Sequence, residues 1–310
     1  MLVAIHDLSK SYGKVKAVDG LSLEVREGSI MGLIGPNGAG KTTTMKILLG
    51  LLRPDRGKVE VFAQNPWDNP DIRSRIGAIY EKSYFPPHHK ALDYLEKSCR
   101  IFGFPESRAG EMLEMVGLKG AHDRPIRGLS AGMLQKFAIA QALIHKPEFV
   151  VADEPTSNLD PQSRNDLLNL ILRLHREEKT TFLISSHILP ELGRICESVA
   201  VINNGKVWAQ GSFAELCERF GVGGARVTTD KPELLAKEVK ELKYVRGLSV
   251  ETRGLVVDVP QETTEQLFED VLKISRKVGA RIFGMESGVT SLEELFRLAV
   301  QTRAEGGQNG

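Results

Sequence analysis

The segment at residues 35–42 constrains this chain most, because it joins an apolar run at residues 30–34 directly to a helical pattern. In order, its residues are Gly35, Pro36, Asn37, Gly38, Ala39, Gly40, Lys41 and Thr42. Glycines at these spacings let successive backbone N–H groups point inward, and the helix that follows aims its positive end at the same point. The pattern predicts a phosphate-binding loop, with Lys41 as a charge for the terminal phosphates and Thr42 as a ligand of Mg²⁺. The alternative is a glycine-rich turn that happens to contain a lysine.

A second apolar run, at residues 149–152, ends in two carboxylates, Asp153 and Glu154. A short, wholly apolar run is typical of a buried parallel strand, and nucleotides bind at the carboxyl edge of such sheets. We expect Asp153 to hold Mg²⁺ through its water shell and Glu154 to polarise the water that attacks the γ-phosphate. An acidic pair that merely ends a surface strand is the alternative.

Upstream of that run, Ser130 and Gly132 stand at the predicted start of another helix. Serine is a good N-cap residue, and glycine leaves the first helical turn bare of a side chain, so this helix start can grip a phosphate. The chain already contains one phosphate-binding loop. Two anion sites in one domain therefore suggest that one ATP is held between two copies of it.

His187 follows a third apolar run, at residues 182–184, and two serines, Ser185 and Ser186. A lone histidine is more often a structural residue than a functional one. At the carboxyl edge of a strand, however, an imidazole can hydrogen-bond an oxygen of the γ-phosphate and sense its loss. We therefore expect a functional role for His187.

In the order of these motifs, the chain resembles the ATP-binding cassette (ABC) ATPases, and among them the nucleotide-binding subunits of transporters whose membrane part is a separate polypeptide. The resemblance covers residues 1–220. It implies that residues 35–42 form the Walker A loop and that Asp153 and Glu154 are the Walker B aspartate and the catalytic glutamate. The residues that it assigns to catalysis are Glu154, His187 as the switch histidine, and Lys41.

The resemblance assigns the remaining roles residue by residue. The implied nucleotide-binding residues are Tyr12, Gly35, Pro36, Asn37, Gly38, Ala39, Gly40, Lys41, Thr42 and Thr43. The implied signature, which contacts the ATP of a second copy, is Leu129, Ser130, Ala131, Gly132 and Met133. The implied D-loop residues are Asn158 and Asp160, and the implied Mg²⁺ ligands are Thr42, Glu81 and Asp153. Tyr12 is the aromatic residue that would stack on adenine; alternatively, it is a strand residue that faces the sheet.

Two segments depart from the family pattern. The signature is usually Leu-Ser-Gly-Gly-Gln, whereas here Ala131 replaces a glycine and Met133 replaces the glutamine. Ser130 and Gly132, which would touch phosphate, remain. Glu81 stands where the family usually has a glutamine. Its carboxylate can still ligate Mg²⁺ or its water, but the added negative charge is expected to tighten the dependence on the metal.

The composition excludes other classes of partner. The chain of 310 residues carries 41 basic and 40 acidic residues, a formal net charge of +1, so it presents no basic face for nucleic acid. Its three widely spaced cysteines fit buried thiols in a reducing cytoplasm. No apolar run approaches the roughly 18 residues needed to cross a bilayer, so transport requires an integral membrane permease as partner. We expect a cytoplasmic protein held at the inner face of the cell membrane by that permease.

The loop after Glu81 contains Tyr84, Phe85 and two prolines, followed by a helical pattern at residues 91–102. In the family, this region receives a short helix from the membrane partner, which fits an exposed aromatic knob. The alternative is a connecting loop whose rings fold back onto the core.

Beyond the cassette the sequence contains no further nucleotide motif. Strand and helix patterns alternate in the order β-α-β-β-α-β, which predicts a small ferredoxin-like module with a hairpin turn at Arg253 and Gly254. A capping box at Ser291 and Glu294 predicts a last helix through Ala299. The predicted divisions are an ATPase domain at residues 1–221, an α+β accessory or dimerisation domain at 222–303 and a disordered tail at 304–310.

The expected fold is α/β: an ABC-type P-loop NTPase domain with a mixed sheet core, an antiparallel β subdomain and a helical subdomain, followed by the small α+β domain. The expected function is Mg²⁺-dependent ATP hydrolysis that powers transport through the permease, with export favoured because exporter subunits of the family carry a similar tail. The partner is a second copy or a paralogous ATPase subunit, and closure of the pair on ATP is the power stroke. The alternative is a nucleotide-gated soluble scaffold or regulator with weak ATPase activity.

Overall fold

The structure is a computed structural model that describes residues 1–220, 222–287, 295–297 and 299. Up to Ser287 the described residues form thirteen β-strands and nine α-helices, and residues 295–297 and 299, where the last helix is predicted, are also helical. It divides into two compact units, Met1–Val207 and Trp208–Gly310. The predicted boundary after residue 221 stays a prediction. The predicted capping box at Ser291 and Glu294, and the tail at 304–310, lie outside the described residues.

A three-stranded antiparallel sheet forms one layer of the first unit. Its strands are β1 (Val3–Tyr12), β2 (Val15–Val25) and β4 (Arg56–Val61), in the order β2-β1-β4. Leu21, Leu23 and Val25 of β2 are buried, whereas the residues between them are exposed. This alternation is typical of an antiparallel sheet with one covered face. The predicted antiparallel β subdomain is confirmed.

The main sheet has six strands in the order β5-β6-β7-β3-β8-β9. They are β3 (Ile30–Ile34), β5 (Ile76–Ile79), β6 (Phe149–Asp153), β7 (Thr181–Ser186), β8 (Ser198–Asn203) and β9 (Lys206–Ser212). The first five strands in this order are parallel: β5 pairs with β6, β6 with β7, β7 with β3, and β3 with β8. Every residue of β3, β6 and β7 is buried, which explains why each of these strands contains an apolar run in the sequence.

Six helices belong to the first unit. They are α1 (Lys41–Leu48), α2 (Ala91–Phe102), α3 (Ser107–Met115), α4 (Ala131–Leu143), α5 (Pro161–Glu178) and α6 (Leu189–Ile195). The helix predicted at residues 91–102 is confirmed by α2. Across the part of the chain that the structure describes, no helix combines the length and the apolar character that crossing a bilayer requires.

The two aromatic residues of the loop before α2 have different surroundings. Phe85 packs edge-to-face against Tyr94 of α2 and Phe137 of α4, with ring centroids 5.5 and 5.0 Å apart. Tyr84, by contrast, is 89% exposed. Phe85 therefore folds back onto the core, whereas Tyr84 is exposed, and docking of a membrane partner at this loop stays a prediction.

The second unit contains the predicted β-α-β-β-α-β order. After α7 (Phe213–Phe220) come β10 (Val222–Thr229), α8 (Pro232–Val239), β11 (Gly247–Glu251), β12 (Gly254–Pro260), α9 (Thr264–Val278) and β13 (Ile282–Ser287). The four strands form an antiparallel sheet in the order β11-β12-β10-β13. Val227, Leu255 and Val271 contribute to its core.

The predicted hairpin turn in this unit is displaced by one residue. Glu251 pairs with Gly254, so the turn consists of Thr252 and Arg253 rather than Arg253 and Gly254. Gly254 already lies in β12, where a Cβ would collide with the carbonyl oxygen of Val227. The glycine is therefore required by close packing between strands and not by the turn.

Candidate active site

The carboxyl ends of β3, β6 and β7 meet at one edge of the main sheet. In the parallel register, Asp153 lies opposite Ser185, and Ser186 lies opposite Ile34. The loop that follows β3, the carboxylates that end β6 and the histidine that follows β7 are therefore brought together. This is the edge at which open α/β sheets bind ligands.

The loop between β3 and α1 depends on glycine at several positions. Gly38 and Gly40 have φ angles of 80° and 106°, which L side chains rarely adopt. A Cβ at Gly40 would collide with the carbonyl oxygen of Ala17, and one at Gly35 with that of Ile202. Because Gly40 is the N-cap of α1, the loop and the first turn of the helix present unpaired N–H groups to the same space.

Lys41 lies at the centre of this loop and is only 5% exposed. Its Nζ donates hydrogen bonds to the carbonyl oxygens of Gly35 at 2.8 Å and Pro36 at 3.1 Å. The same atom lies 3.3 Å from Oε1 of Glu154. A buried ammonium group requires partners of this kind, and they hold its charge at the mouth of the loop.

Asp153 is buried between two hydroxyl groups. Its Oδ2 accepts a hydrogen bond from Oγ1 of Thr42 at 2.7 Å, and its Oδ1 accepts one from Oγ of Ser185 at 2.6 Å. The pKa of the neighbouring Tyr80 hydroxyl is raised by burial and by the charge of Asp153. Adjacent hydroxyl and carboxylate oxygens are the donors that Mg²⁺ prefers.

The described residues contain no cluster of three or more His, Cys, Asp or Glu side chains arranged to hold a metal ion. Mg²⁺ does not require one, because it commonly takes one or two protein ligands and completes its shell with water and substrate phosphates. The pair formed by Thr42 and Asp153 therefore fits this ion.

Glu154 has an unusual backbone conformation, with a φ angle of 47° in the left-handed region. Such conformations are costly for non-glycine residues and often occur at functional sites. The N–H of Glu154 donates to Oγ of Ser185 at 2.9 Å, and its Oε2 lies 2.5 Å from Nδ1 of His187. With Lys41 on its other oxygen, the carboxylate is held between a cation and an imidazole.

Most of the predicted residues line one cleft of about 620 Å³, a volume typical of ligand sites. Those that line it are Tyr12, Asn37, Gly38, Gly40, Lys41, Thr42, Thr43, Glu81, Glu154, Asn158 and His187. Gly35, Pro36 and Ala39 belong to the loop without lining the cleft, and Asp153 contacts Thr42 beneath it. A smaller cavity of about 300 Å³ lies beside Thr180 and Thr181, at the opposite edge of the sheet. It contains none of the predicted residues.

The predicted signature, residues 129–133, does not line this cleft. Ser130 is the N-cap of α4, as predicted, and its Oγ accepts a hydrogen bond from the N–H of Met133 at 3.3 Å. Ser130 and Ala131 are exposed. A Cβ on Gly132 would lie 2.9 Å from Oγ of Ser163 in α5, so the helix start is closely packed on one side and open on the other.

The two predicted D-loop residues have different surroundings. Asn158 lines the cleft, whereas Asp160 caps α5 by accepting hydrogen bonds from the N–H groups of Ser163 at 3.0 Å and Gln162 at 3.1 Å. Hydrogen bonds from Ser163 lower the pKa of the Asp160 carboxyl. In this structure Asp160 therefore has a structural partner.

The sequence did not indicate two polar features near the site. The first is the double contact of Ser185 with Asp153 and Glu154 described above. The second is Glu191 of α6, which is buried, accepts from Oγ1 of Thr156 at 2.5 Å and lies 2.9 Å from Nε of Arg164. Glu191 thereby ties the segment after Glu154 to the helix after His187. Ser185 could have been found from the parallel pairing of β6 and β7, whereas no local pattern links Glu191 to its partners.

Comparison with known proteins agrees with this geometry. The sequence model described as ABC transporter matches residues 18–157. An uncharacterised ABC transporter ATP-binding protein of Nostoc sp. is 36% identical over 97% of this chain and 90% of its own length. The Nod factor export ATP-binding protein I of Ralstonia nicotianae is 37% identical over 69% of this chain and 68% of its own length. A solved dimeric structure of a bacterial ABC transporter cassette has a TM-score of 0.62 and 26% identity, covering 68% of this chain and 98% of that one.

Proposed function

Because this chain belongs to the ABC transporter family, as an ATP-binding subunit that hydrolyses ATP, we propose that the 620 Å³ cleft is its ATPase site and that turnover there powers export. The observation that carries this proposal is the meeting of Lys41, Glu154 and His187. Glu154 lies 3.3 Å from Lys41 Nζ and 2.5 Å from His187 Nδ1. In this proposal, Lys41 is the cation that binds phosphate, Glu154 the carboxylate that activates water and His187 the imidazole that contacts the γ-phosphate.

The loop and Tyr12 bind the nucleotide in this proposal. The inward N–H groups of the loop and the Lys41 ammonium hold the terminal phosphates. Tyr12 ends β1 at the rim of the cleft and is 50% exposed, so its ring is free to stack on adenine. Asn37 and Thr43 line the same cleft and add polar contacts.

Thr42 and Asp153 would hold Mg²⁺, and Glu81, which lines the same cleft as Thr42, would contribute a further carboxylate. When bound, the ion neutralises charge on the phosphate oxygens. Asp153 is buried and fixed by two hydroxyl donors, so its carboxylate is already oriented towards Thr42. The Asp153 carboxylate is thus oriented before the substrate binds.

Glu154 polarises the attacking water, and His187 steadies the γ-phosphate. Binding of a triphosphate gives Lys41 a more highly charged partner than Glu154, which leaves Oε1 of the glutamate to accept a hydrogen from water. His187 remains close to Oε2 and reports loss of the γ-phosphate through the same contact.

The exposed signature implies that a second chain completes the site. Ser130 and Gly132 stand at a helix N-terminus that does not line the cleft of their own chain, so we propose that they cover the γ-phosphate held by a partner. The partner is a second copy or a paralogous subunit, and the dimeric cassette among the solved relatives supports pairing of this kind.

A membrane permease is the further partner in this proposal. The exposed ring of Tyr84 supports docking of a short permease helix at the loop before α2. That contact would hold the ATPase at the cytoplasmic face of the membrane. The name of the Ralstonia relative supports export as the direction of transport.

The test is Glu154→Gln, which keeps the side-chain shape but removes the carboxylate. Hydrolysis is expected to fall by roughly 100-fold to 1000-fold, and ATP-bound dimers are expected to accumulate. Single-turnover hydrolysis and light scattering in saturating Mg-ATP measure the two effects. Glu177→Gln, at an exposed position near the end of α5, is the matched control.

Rapid hydrolysis by the Glu154→Gln protein would refute the role of Glu154. A variant that stays monomeric in saturating Mg-ATP, both alone and with its permease, would refute the shared site. If the unmodified chain binds ATP but its turnover does not respond to the permease, the scaffold alternative is correct.

A further inference from the structure

We propose that Ser185 is a positioning residue for ATP hydrolysis, because one hydroxyl group fixes both the metal-binding carboxylate and the backbone of the catalytic glutamate. This inference rests on the proposed function of the cleft. Ser185 is completely buried in β7, directly opposite Asp153 in the parallel register. It cannot meet the nucleotide itself, so any effect on turnover must act through its neighbours.

The geometry lets the hydroxyl serve both neighbours at once. A serine hydroxyl carries one hydrogen to donate and two lone pairs that accept. Oγ donates to Oδ1 of Asp153 at 2.6 Å and accepts from the N–H of Glu154 at 2.9 Å. An ionised carboxylate can only accept, so the direction of both bonds is determined.

The bond to Asp153 orients the metal side of the site. With Oδ1 engaged by Ser185, Oδ2 is directed at the hydroxyl of Thr42, 2.7 Å away. Without the serine hydroxyl, Oδ1 would be a buried acceptor without its donor, and the carboxylate would rotate to recover one. Groups that orient the ligands of a metal in this way commonly control its affinity.

The bond to Glu154 stabilises an otherwise unfavourable backbone. Glu154 has a φ angle of 47°, and its N–H is directed at Ser185. This conformation directs the side chain towards Lys41 and His187, which contact its two carboxylate oxygens. Loss of the acceptor would release the backbone to relax and would move the carboxylate away from the water that it polarises.

The neighbouring Ser186 makes a different contact, although both serines are buried at the end of β7. Oγ of Ser186 accepts the N–H of Ile188 at 2.9 Å and so shapes the turn that contains His187. The bridge between the two carboxylate residues is thus specific to Ser185.

The experiment compares Ser185→Ala with Thr181→Val in the full chain. Thr181 is a buried residue at the start of the same strand, and its Oγ1 accepts the N–H of Gly28 at 2.8 Å. The control therefore also removes a buried hydroxyl that accepts a backbone N–H, but at the opposite edge of the sheet. Thermal unfolding is measured for both proteins. If Ser185→Ala fails to fold, Ser185→Cys replaces it, since a thiol keeps the volume and forms weaker hydrogen bonds.

Two measurements distinguish a positioning role of Ser185 from a general destabilisation of the fold. For Ser185→Ala, the ATP affinity in EDTA is expected to stay within about twofold of that of the unmodified chain. The gain in its ATP affinity on adding Mg²⁺ is expected to shrink roughly tenfold. In excess Mg²⁺, kcat is expected to fall by about 10-fold to 100-fold with KM nearly unchanged. Thr181→Val should leave both quantities unchanged.

The inference is wrong if Ser185→Ala keeps the full Mg²⁺-dependent gain and its kcat, or if Thr181→Val loses as much of either. If the unmodified chain fails to bind ATP in EDTA and in Mg²⁺, the proposed function itself fails. That outcome is recognised before any variant is considered. A chain that binds ATP without detectable turnover still tests the inference through the Mg²⁺ dependence of binding.

Discussion

Two helix starts in the first unit offer positive ends to an anion, but only one is surrounded by chemistry from its own chain. At the start of α1, Lys41 is buried and Thr42 contacts Asp153. At the start of α4, Ser130 is exposed, and its hydroxyl accepts the N–H of Met133 from its own helix. In the proposed function, the first would supply most of a catalytic site, whereas the second would contact the nucleotide bound by a partner chain.

This difference supports the proposal that one chain binds the nucleotide at α1 and that a second chain completes the site with its α4. A phosphate bound at α1 would meet Lys41, Thr42 and Glu154 in one cleft, with the Asp153 carboxylate bonded to Thr42. A phosphate approached by α4 would meet only backbone N–H groups, the Ser130 hydroxyl and the bare Gly132, so we expect tight binding there to need the groups that a second chain supplies. Substitutions near α1 should therefore impair binding by a single chain, and substitutions near α4 should impair only turnover by the pair.

Among the substitutions that compare the two helix starts, Lys41→Ala is expected to have the largest effect. Removing the ammonium deletes charge-assisted hydrogen bonds to phosphate, and ATP affinity of the isolated chain should fall by roughly 100-fold. Equilibrium titration with a fluorescent ATP analogue measures this. Lys46→Ala, on the exposed face of the same helix, should bind ATP normally. Equal affinity in the two variants would remove the distinction between the helix starts.

A smaller and different effect is expected from Gly132→Asp. The new carboxylate would repel an approaching γ-phosphate, so turnover should fall by at least about tenfold while ATP binding by the single chain is spared. Gly132→Ala is the matched control, because both variants add the Cβ that meets Ser163 and only one adds charge. Steady-state hydrolysis and ATP titration of both proteins give the comparison. If Gly132→Asp weakened ATP binding and Gly132→Ala did not, α4 would act on the nucleotide of its own chain.

The motifs on both sides of this comparison could be predicted from sequence because each is local. The loop at residues 35–42 and the cap at Ser130 need only neighbouring residues to form. The capping role of Asp160 was also readable, because Pro161 at the first helical position marks an N-terminus, although the resemblance favoured a D-loop role for it.

Contacts between distant segments were not predictable in the same way. Ser185 becomes important only when β7 is paired with β6 in one register, and a shift of one residue would turn its side chain to the other face. Tyr84 and Phe85 are adjacent aromatic residues, and their different exposure depends on the position of Phe137 in α4. Tertiary packing, rather than local preference, determined these features.

The smallest effect is expected from Glu81→Gln, which tests how the charge of Glu81 affects the Mg²⁺ requirement of the cleft at α1. Glu81 lines the cleft that Lys41 and Thr42 share, so its charge adds to the repulsion of a triphosphate and increases the need for a neutralising cation. Removing that charge should lower the Mg²⁺ concentration for half-maximal turnover by about threefold, with partial screening by salt. Hydrolysis measured over a Mg²⁺ titration at constant ionic strength reports this shift, with Glu111→Gln, at an exposed position of α3, as the control. A higher Mg²⁺ requirement in the variant would instead show that the Glu81 carboxylate is a metal ligand whose contribution exceeds its repulsion of the phosphates.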